Sequence, residues 1–257
     1  MTDWNAAQYS KFKTERTLPA IDLANAIDCK NVHKILDIGC GTGNSTAVLI
    51  NKFPEAKVVG ADNSDDMLSA AKNACPSADF IKLDAENDID KITEKYDIVF
   101  SNACIQWIPN HRKLINDMFS LLRSGGVLAV QIPQQYKHPV HKILNSLADS
   151  DKWNKKIKEK RTYNNLSESE YFDILSELSE NFRIWEITYF FSMPSYQSIA
   201  EWYKGTGLRP YLAQLTDSDQ KEYTEDFLER IRATYPVRKN GNIIFEFPRL
   251  FFTVTKE

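Results

Sequence analysis

The first half of the chain alternates short apolar runs with amphipathic stretches. The pattern predicts strands over 33–38, 56–60, 79–83, 96–101 and 127–132, with helices over 45–52, 67–74 and 111–122 between them. Ser64 is placed to cap the helix that begins at Met67, and Asp65 and Asp66 suit the positive end of that helix. The third helix is expected to stop at Ser124-Gly125-Gly126. Strands that are apolar nearly throughout and alternate with helices predict a parallel sheet covered on both faces.

The second half changes character. A helix is predicted over 171–178 and, from alternation among β-branched and aromatic residues, a strand over 183–191. Residues 195–235 read as mostly helical with a break at Gly205-Thr206-Gly207, and 248–255 as a closing strand. The lysine-rich stretch 152–161 reads as a solvated helix or loop. A helical segment between the last two strands looks like an insertion from one end of the sheet, where a lid would sit. The expected architecture is α/β: a Rossmann-like, seven-stranded, mostly parallel sheet with that helical lid.

Composition changes little in this picture. The 257 residues are 42% hydrophobic and 26% charged, ordinary for one globular domain. No apolar run approaches the ~18 residues of a membrane span, and no signal segment opens the chain, so a cytoplasmic protein is expected. A net charge of −3 gives no basic face for nucleic acid, so an anionic ligand must be held by local cations. Cys29, Cys40, Cys75 and Cys104 form no CxxC pair, and His138 and His141 lack acidic partners, so no metal is expected.

The chemistry concentrates in Asp37-Ile38-Gly39-Cys40-Gly41-Thr42-Gly43-Asn44. A glycine-rich turn between strand and helix lets a ligand approach the backbone. The dinucleotide fingerprint would need a third glycine at position 44, where Asn44 stands. Asp37, at the mouth of the turn, opposes a pyrophosphate but suits a cationic amino group. Asp62 ends the second strand, where a carboxylate can take two ribose hydroxyls, and Asp84-Ala85 follows the third, where an acid can accept from an adenine amino group.

With Asp37, Gly39, Gly41 and Gly43 filling an acidic-x-Gly-x-Gly-x-Gly motif, the chain resembles the class I methyltransferase family. The resemblance implies S-adenosyl-L-methionine as cofactor, with S-adenosyl-L-homocysteine as product. It also implies a binding set of Asp37, Gly39, Cys40, Gly41, Asp62, Asn63, Met67, Asp84, Ala85 and Asn102. Further segments are similar to the trans-aconitate methyltransferase family. They include Asp3-Trp4-Asn5 with Tyr9, Gln106-Trp107, Met193-Pro194-Ser195, Thr206-Gly207-Leu208-Arg209-Pro210-Tyr211-Leu212 and Phe247-Pro248-Arg249-Leu250-Phe251. This second resemblance spans essentially the whole chain and weakens across 133–163.

It implies methylation of a carboxylate of a small di- or tricarboxylic acid, with no nucleic-acid or membrane partner and the chain acting as a monomer. Gln106 and Trp107 would orient the reacting carboxylate, and Arg209 would grip another. Tyr9, with Arg16, would close the N-terminal segment over the site, and Arg249 is a further candidate cation. A methyltransferase for another small acid or a ring carbon, or a silent cofactor-binding protein, are the competing expectations. One domain is expected over 1–257. It divides into an N-terminal closing segment (1–30), a cofactor-binding core (31–135), helices and a strand (136–194), the lid (195–237) and the final strand (238–257).

Overall fold

The structure, a computed structural model, describes residues 13–204 and 206–257, with side chains from residue 17 onward. Chain order is α1 (Lys13–Asn25), β1 (Lys34–Ile38), α2 (Asn44–Lys52), β2 (Lys57–Asp62), α3 (Asp65–Ala74), β3 (Asp79–Lys82), β4 (Tyr96–Asn102) and α4 (His111–Ser120). Then come β5 (Leu122–Pro133), α5 (Pro139–Ala148), α6 (Glu168–Leu178), β6 (Phe182–Met193), α7 (Tyr196–Lys204), α8 (Arg209–Leu212), α9 (Asp217–Thr234) and β7 (Ile243–Thr255). The seven strands lie in the order β3-β2-β1-β4-β5-β7-β6. β1 to β5 run parallel, and β7 enters antiparallel between β5 and β6.

The apolar strands are buried because both faces are covered. Leu36, Val59, Val99 and Leu128 pack beneath α4 and α6 through Leu114, Met118, Tyr171 and Leu175. Ile35, Val58, Ile98 and Phe251 pack on the other face against Leu23 of α1 and Leu49 of α2. Ser64 caps α3 as expected, accepting from Met67 N. Ser167 caps α6 in a reciprocal box with Glu170.

The boundaries differ where tertiary pairing overrides local pattern. α4 ends at Ser120, two residues short of the expected end, and β5 already starts at Leu122. Ser124-Gly125-Gly126 therefore falls inside β5, beside a register shift against β4, and the Gly125 amide donates to the Lys256 carbonyl. β7 begins five residues before the expected strand, at Ile243, because β6 pairs with it along its full length.

The lid is larger than 195–237. α7, α8 and α9 share a core with α5, an element that the periodicity did not announce, and with Ile243 and Phe245 at the near end of β7. Pro139 starts α5 in the first helical turn, where its missing amide costs nothing, and the His138 ring caps it. The lysine-rich stretch is neither a helix nor freely solvated. Trp153 is fully buried, its indole donates to Asp226 of α9 at 2.8 Å, and Lys152 and Lys156 pair with Asp226 and Asp219. Those exposed ion pairs contribute little; the buried indole supplies the anchor.

Removing that anchor tests the lid core. Trp153→Ala should cost about 3–5 kcal/mol, read as a lower midpoint in urea unfolding. A midpoint within error of wild type would show that the lid does not depend on this residue.

Candidate functional site

A cavity of about 510 Å³ opens at the carboxyl ends of the parallel strands and runs under the lid. That size suits a small-molecule site, and the location is where open α/β sheets bind ligands. Its floor is the turn after β1. The Gly39 and Cys40 amides donate to the Ala61 carbonyl at 2.8 and 3.0 Å, which pins the turn to the end of β2. Gly39 and Gly41 both lie at positive φ, +73° and +54°. A side chain at Gly39 would strike Cys104, whereas one at Gly41 would meet no atom within 4 Å, because the space above Gly41 is the cavity.

Acids hold this floor from below and from the side. Asp62 lines the cavity, and its two oxygens accept from the Gly41 and Ser64 amides, each at 3.0 Å. Each oxygen keeps acceptor capacity for a ligand hydroxyl. Asp84 lies two residues beyond β3, on the wall, and accepts from the Glu86 amide and the Asn87 side chain at 3.0 Å. Cys40, Asn63, Met67, Ala85 and Asn102 complete this end, with the Asn102 Oδ1 buried and lacking any hydrogen-bond partner.

Asp37 differs. It is fully buried beneath the turn and is not part of the cavity surface. Ser45 and Thr46 donate to its Oδ2 at 2.7 Å each, while Oδ1 has no partner. Burial raises its pKa to about 6 against the pull of those two hydroxyls. Burial and the neighbouring Asp37 and Asp62 push the Cys40 thiol far up, so it remains a thiol and no nucleophile.

The other end of the cavity has the opposite character. The turn Ile105–Trp107 after β4 presents Trp107 and Gln106. The Gln106 amide nitrogen donates to the Ala103 carbonyl at 2.7 Å, so only its second hydrogen remains for a ligand, and its Oε1 is buried without a partner. Behind the turn the buried His111 ring bridges the Ile105 carbonyl (2.8 Å) and the Tyr171 hydroxyl (2.6 Å). A carbonyl only accepts, so Nε2 carries the proton and Nδ1 takes the tyrosine hydrogen. Burial lowers this imidazole's pKa, and it acts as a strut outside the cavity.

Tyr163, His141, Trp202, Tyr203 and Phe247 make the remaining wall aromatic. The His141 ring packs edge-on against Tyr163, with centroids 5.0 Å apart, and burial with the nearby Arg161 charge lowers its pKa to about 3. Arg249, buried in the middle of β7, lines this wall with its guanidinium 4.2 Å from the Phe247 ring centre. The Arg161 guanidinium lies 4.0 Å from the Trp107 ring centre. The cavity is therefore acidic at the glycine turn and cationic and aromatic under the lid.

The structure brings Gly39, Cys40, Gly41, Asp62, Asn63, Met67, Asp84, Ala85, Asn102, Gln106 and Trp107 onto one cavity. Arg209 opens α8 half-buried and does not line it, although its charge reaches Arg161. Tyr9 lies outside the described residues. Sequence reasoning missed Arg161 and Tyr163, where an arginine two residues from a tyrosine was the only signal, and weighed His141 only as a metal ligand. Among the described residues no group of three or more His, Cys, Asp or Glu could hold a metal ion. No helix among them is long and apolar enough to cross a membrane.

Residues 30–204 match a family model described as a methyltransferase domain. Over 256 residues the chain is 37% identical to trans-aconitate 2-methyltransferase of Shigella flexneri serotype 5b (strain 8401), covering 100% of this chain and 99% of that protein. The fold is similar to the YcgJ protein from Bacillus subtilis, with a TM-score of 0.61, 15% identity and coverage of 95% of this chain and 99% of that one. It is also similar to phosphoethanolamine N-methyltransferase 2 of Haemonchus contortus in complex with S-adenosyl-L-methionine. There the TM-score is 0.57 and identity 16%, over 95% of this chain and 53% of that one.

Asp37 gives a pH signature. Its folded pKa, about 6, lies above its ordinary 3.8, so the folded state holds the proton more tightly between those values. The corresponding stability, roughly 3 kcal/mol, is fully present below pH ~4 and lost as pH rises through ~6. Urea unfolding from pH 4 to 8 should show that decline in wild type and a flatter profile in Asp37→Asn. Parallel profiles would remove Asp37 as its source.

Proposed function

The chain belongs to the class I methyltransferases, in the family of the trans-aconitate 2-methyltransferases, and on that premise we propose that it transfers methyl from S-adenosylmethionine to a carboxylate oxygen of trans-aconitate. The observation that carries the choice of acceptor is the 37% identity, end to end, with enzymes of that name. The charge division of the cavity supports it. A cofactor with a cationic centre meets the acidic end, and an anionic acceptor meets Arg249 and the aromatic wall.

The residues at the glycine turn fit the cofactor. The open space above Gly41 admits a ligand against the backbone, and the partnerless Oδ1 of Asn102 is an acceptor awaiting a donor. Asp62, held by two backbone amides, would receive the ribose hydroxyls; Asp84 with Ala85 would border the adenine; Asn63 and Met67 would flank it. Asp37, mostly ionised at neutral pH, would offset the cationic amino group from beneath the turn. When bound, S-adenosylmethionine supplies a methyl carbon made electrophilic by its sulfonium.

At the lid end, Gln106 and Trp107 would orient the reacting carboxylate. An ionised carboxylate is already a nucleophile, so no base is required, and orientation alone can supply up to ~7–11 kcal/mol. The oxygen–methyl bond forms as the methyl–sulfur bond breaks, giving the monomethyl ester and S-adenosylhomocysteine. Carbon methylation would want a base, and among the described residues the histidine on the wall, His141, is made a weak one by burial, its pKa being lowered to about 3. Of the two cations first considered, Arg249 rather than Arg209 is assigned the grip on a second carboxylate, because it stands on the wall. Tyr9 would close the N-terminal segment over the acid, and the reaction would take place in the cytoplasm.

Two measurements test this reading. A screen of di- and tricarboxylic acids with labelled methyl donor should give trans-aconitate monomethyl ester as the main product; absence of transfer to every acid would sink the proposal. Calorimetry should show binding of S-adenosylmethionine and none of NAD. Asp62→Ala should lose roughly 10- to 100-fold in cofactor affinity, since a charge-assisted hydrogen bond is worth about 1.5–3 kcal/mol.

A further inference from the structure

Residues 158–164 connect the turns after α5 to α6, and both ends of the segment are fastened. The Gln214 carboxamide at the end of the α8 turn accepts from the Lys158 and Glu159 amides at 2.8 and 2.9 Å and donates back to the Glu159 carbonyl at 2.8 Å. At the other end the Asn164 amide donates to the Gln106 carbonyl at 3.0 Å, so the strap is tied to the turn that carries Trp107. Between these ties the Arg161 amide approaches the Tyr211 hydroxyl at 3.4 Å, and that hydroxyl donates to Asn145 at 2.9 Å.

The strap fixes an arginine where a cation is costly. Arg161 is half-buried, its guanidinium lies over Trp107, its Nε is buried with no hydrogen-bond partner, and it makes no ion pair among the described residues. Its guanidinium shares a hydrogen bond with the Tyr163 side chain, and the other ionisable groups near it are cationic or neutral, namely Arg209, Tyr211 and His141. Lys152, Lys156 and Lys160 in the preceding stretch, by contrast, each have a carboxylate. A partly desolvated guanidinium held beside a ligand cavity, with its Nε unused and no carboxylate paired to it among the described residues, is completed by an anion.

We propose that Arg161 is a specificity-determining residue that binds a carboxylate of the acceptor other than the one being methylated, from a position fixed by the Gln214 clip and the Trp107 face. This assignment rests on the acid-methylating reading of the cavity. With Arg249 on the cavity wall it makes a two-guanidinium site, which fits a tricarboxylate better than a dicarboxylate. Arg161 stacks on Trp107, so its guanidinium stands at the same turn that would orient the reacting group.

The test uses trans-aconitate and the three dicarboxylates that each lack one of its carboxylates: itaconate, mesaconate and cis-glutaconate. Each is titrated calorimetrically into full-length protein saturated with S-adenosylhomocysteine, and kcat/KM is measured with the methyl donor. In wild type, the dicarboxylate missing the gripped group should bind roughly 10- to 100-fold more weakly than trans-aconitate. Arg161→Ala should bring trans-aconitate down to that level, mainly through KM, while that one dicarboxylate changes little and S-adenosylhomocysteine affinity is retained. Arg161→Lys should recover part of the preference, because a point charge lacks the two-pronged contact. Equal losses on all four acids, or no loss on any, would overturn the assignment. Binding without turnover in wild type would defeat the methylating reading and leave the Arg161 result standing; turnover with unchanged selectivity in Arg161→Ala would do the reverse.

Discussion

A carboxylate at the end of a buried strand must be supplied with donors, and the ligand end of this molecule is organised by how that demand is met. Asp62 takes the Gly41 amide from one loop and the Ser64 amide from the next, so one side chain ties the turn after β1 to the start of α3. Asp37 takes two hydroxyls from the first turn of α2, which seats that helix directly behind the glycines. Gly39 completes the arrangement by allowing Cys104 to press against the backbone. The turn is rigid before any ligand arrives, and the cost of ordering it has been met during folding rather than at binding.

From that floor the electrostatics follow without any contribution from net charge. Negative groups collect where β1, β2 and β3 end, and guanidinium groups lie along Trp107 and Phe247. Between them the wall is aromatic and its histidine, His141, is neutral. Charges set partly within the protein interact more strongly than at the surface. One cavity thereby carries opposite character at its two ends.

The parallel half was legible because its signals are local. Apolar runs, Ser64 as a cap, and the spacing of Asp37, Gly39, Gly41 and Gly43 all act within a few residues of themselves. The lid half was less so. α5 is stabilised by contacts with α7 and α9, which lie dozens of residues away, and Trp153 looked like part of a charged run until Asp226 was seen beside it. The arginines show the same limit. Gly207 and Pro210 around Arg209 suggested a turn aimed inward, yet the direction of a side chain depends on how α8 docks, and the chain presents Arg249 instead. Arg161 had little local signal because its place is set by the Gln214 clip at one end of its strap and the Asn164–Gln106 tie at the other.

The interior is partitioned. Two apolar clusters clothe the faces of the sheet, and a third, built from α5, α7, α8 and α9, packs mostly on itself and touches the sheet at the near end of β7. In evolutionary terms this is a division of labour between compartments. Substitutions in the third cluster reach the aromatic wall, while the glycine-turn floor stays anchored to strands that cluster does not touch. Repacking one compartment therefore alters one end of the cavity and leaves the other in place.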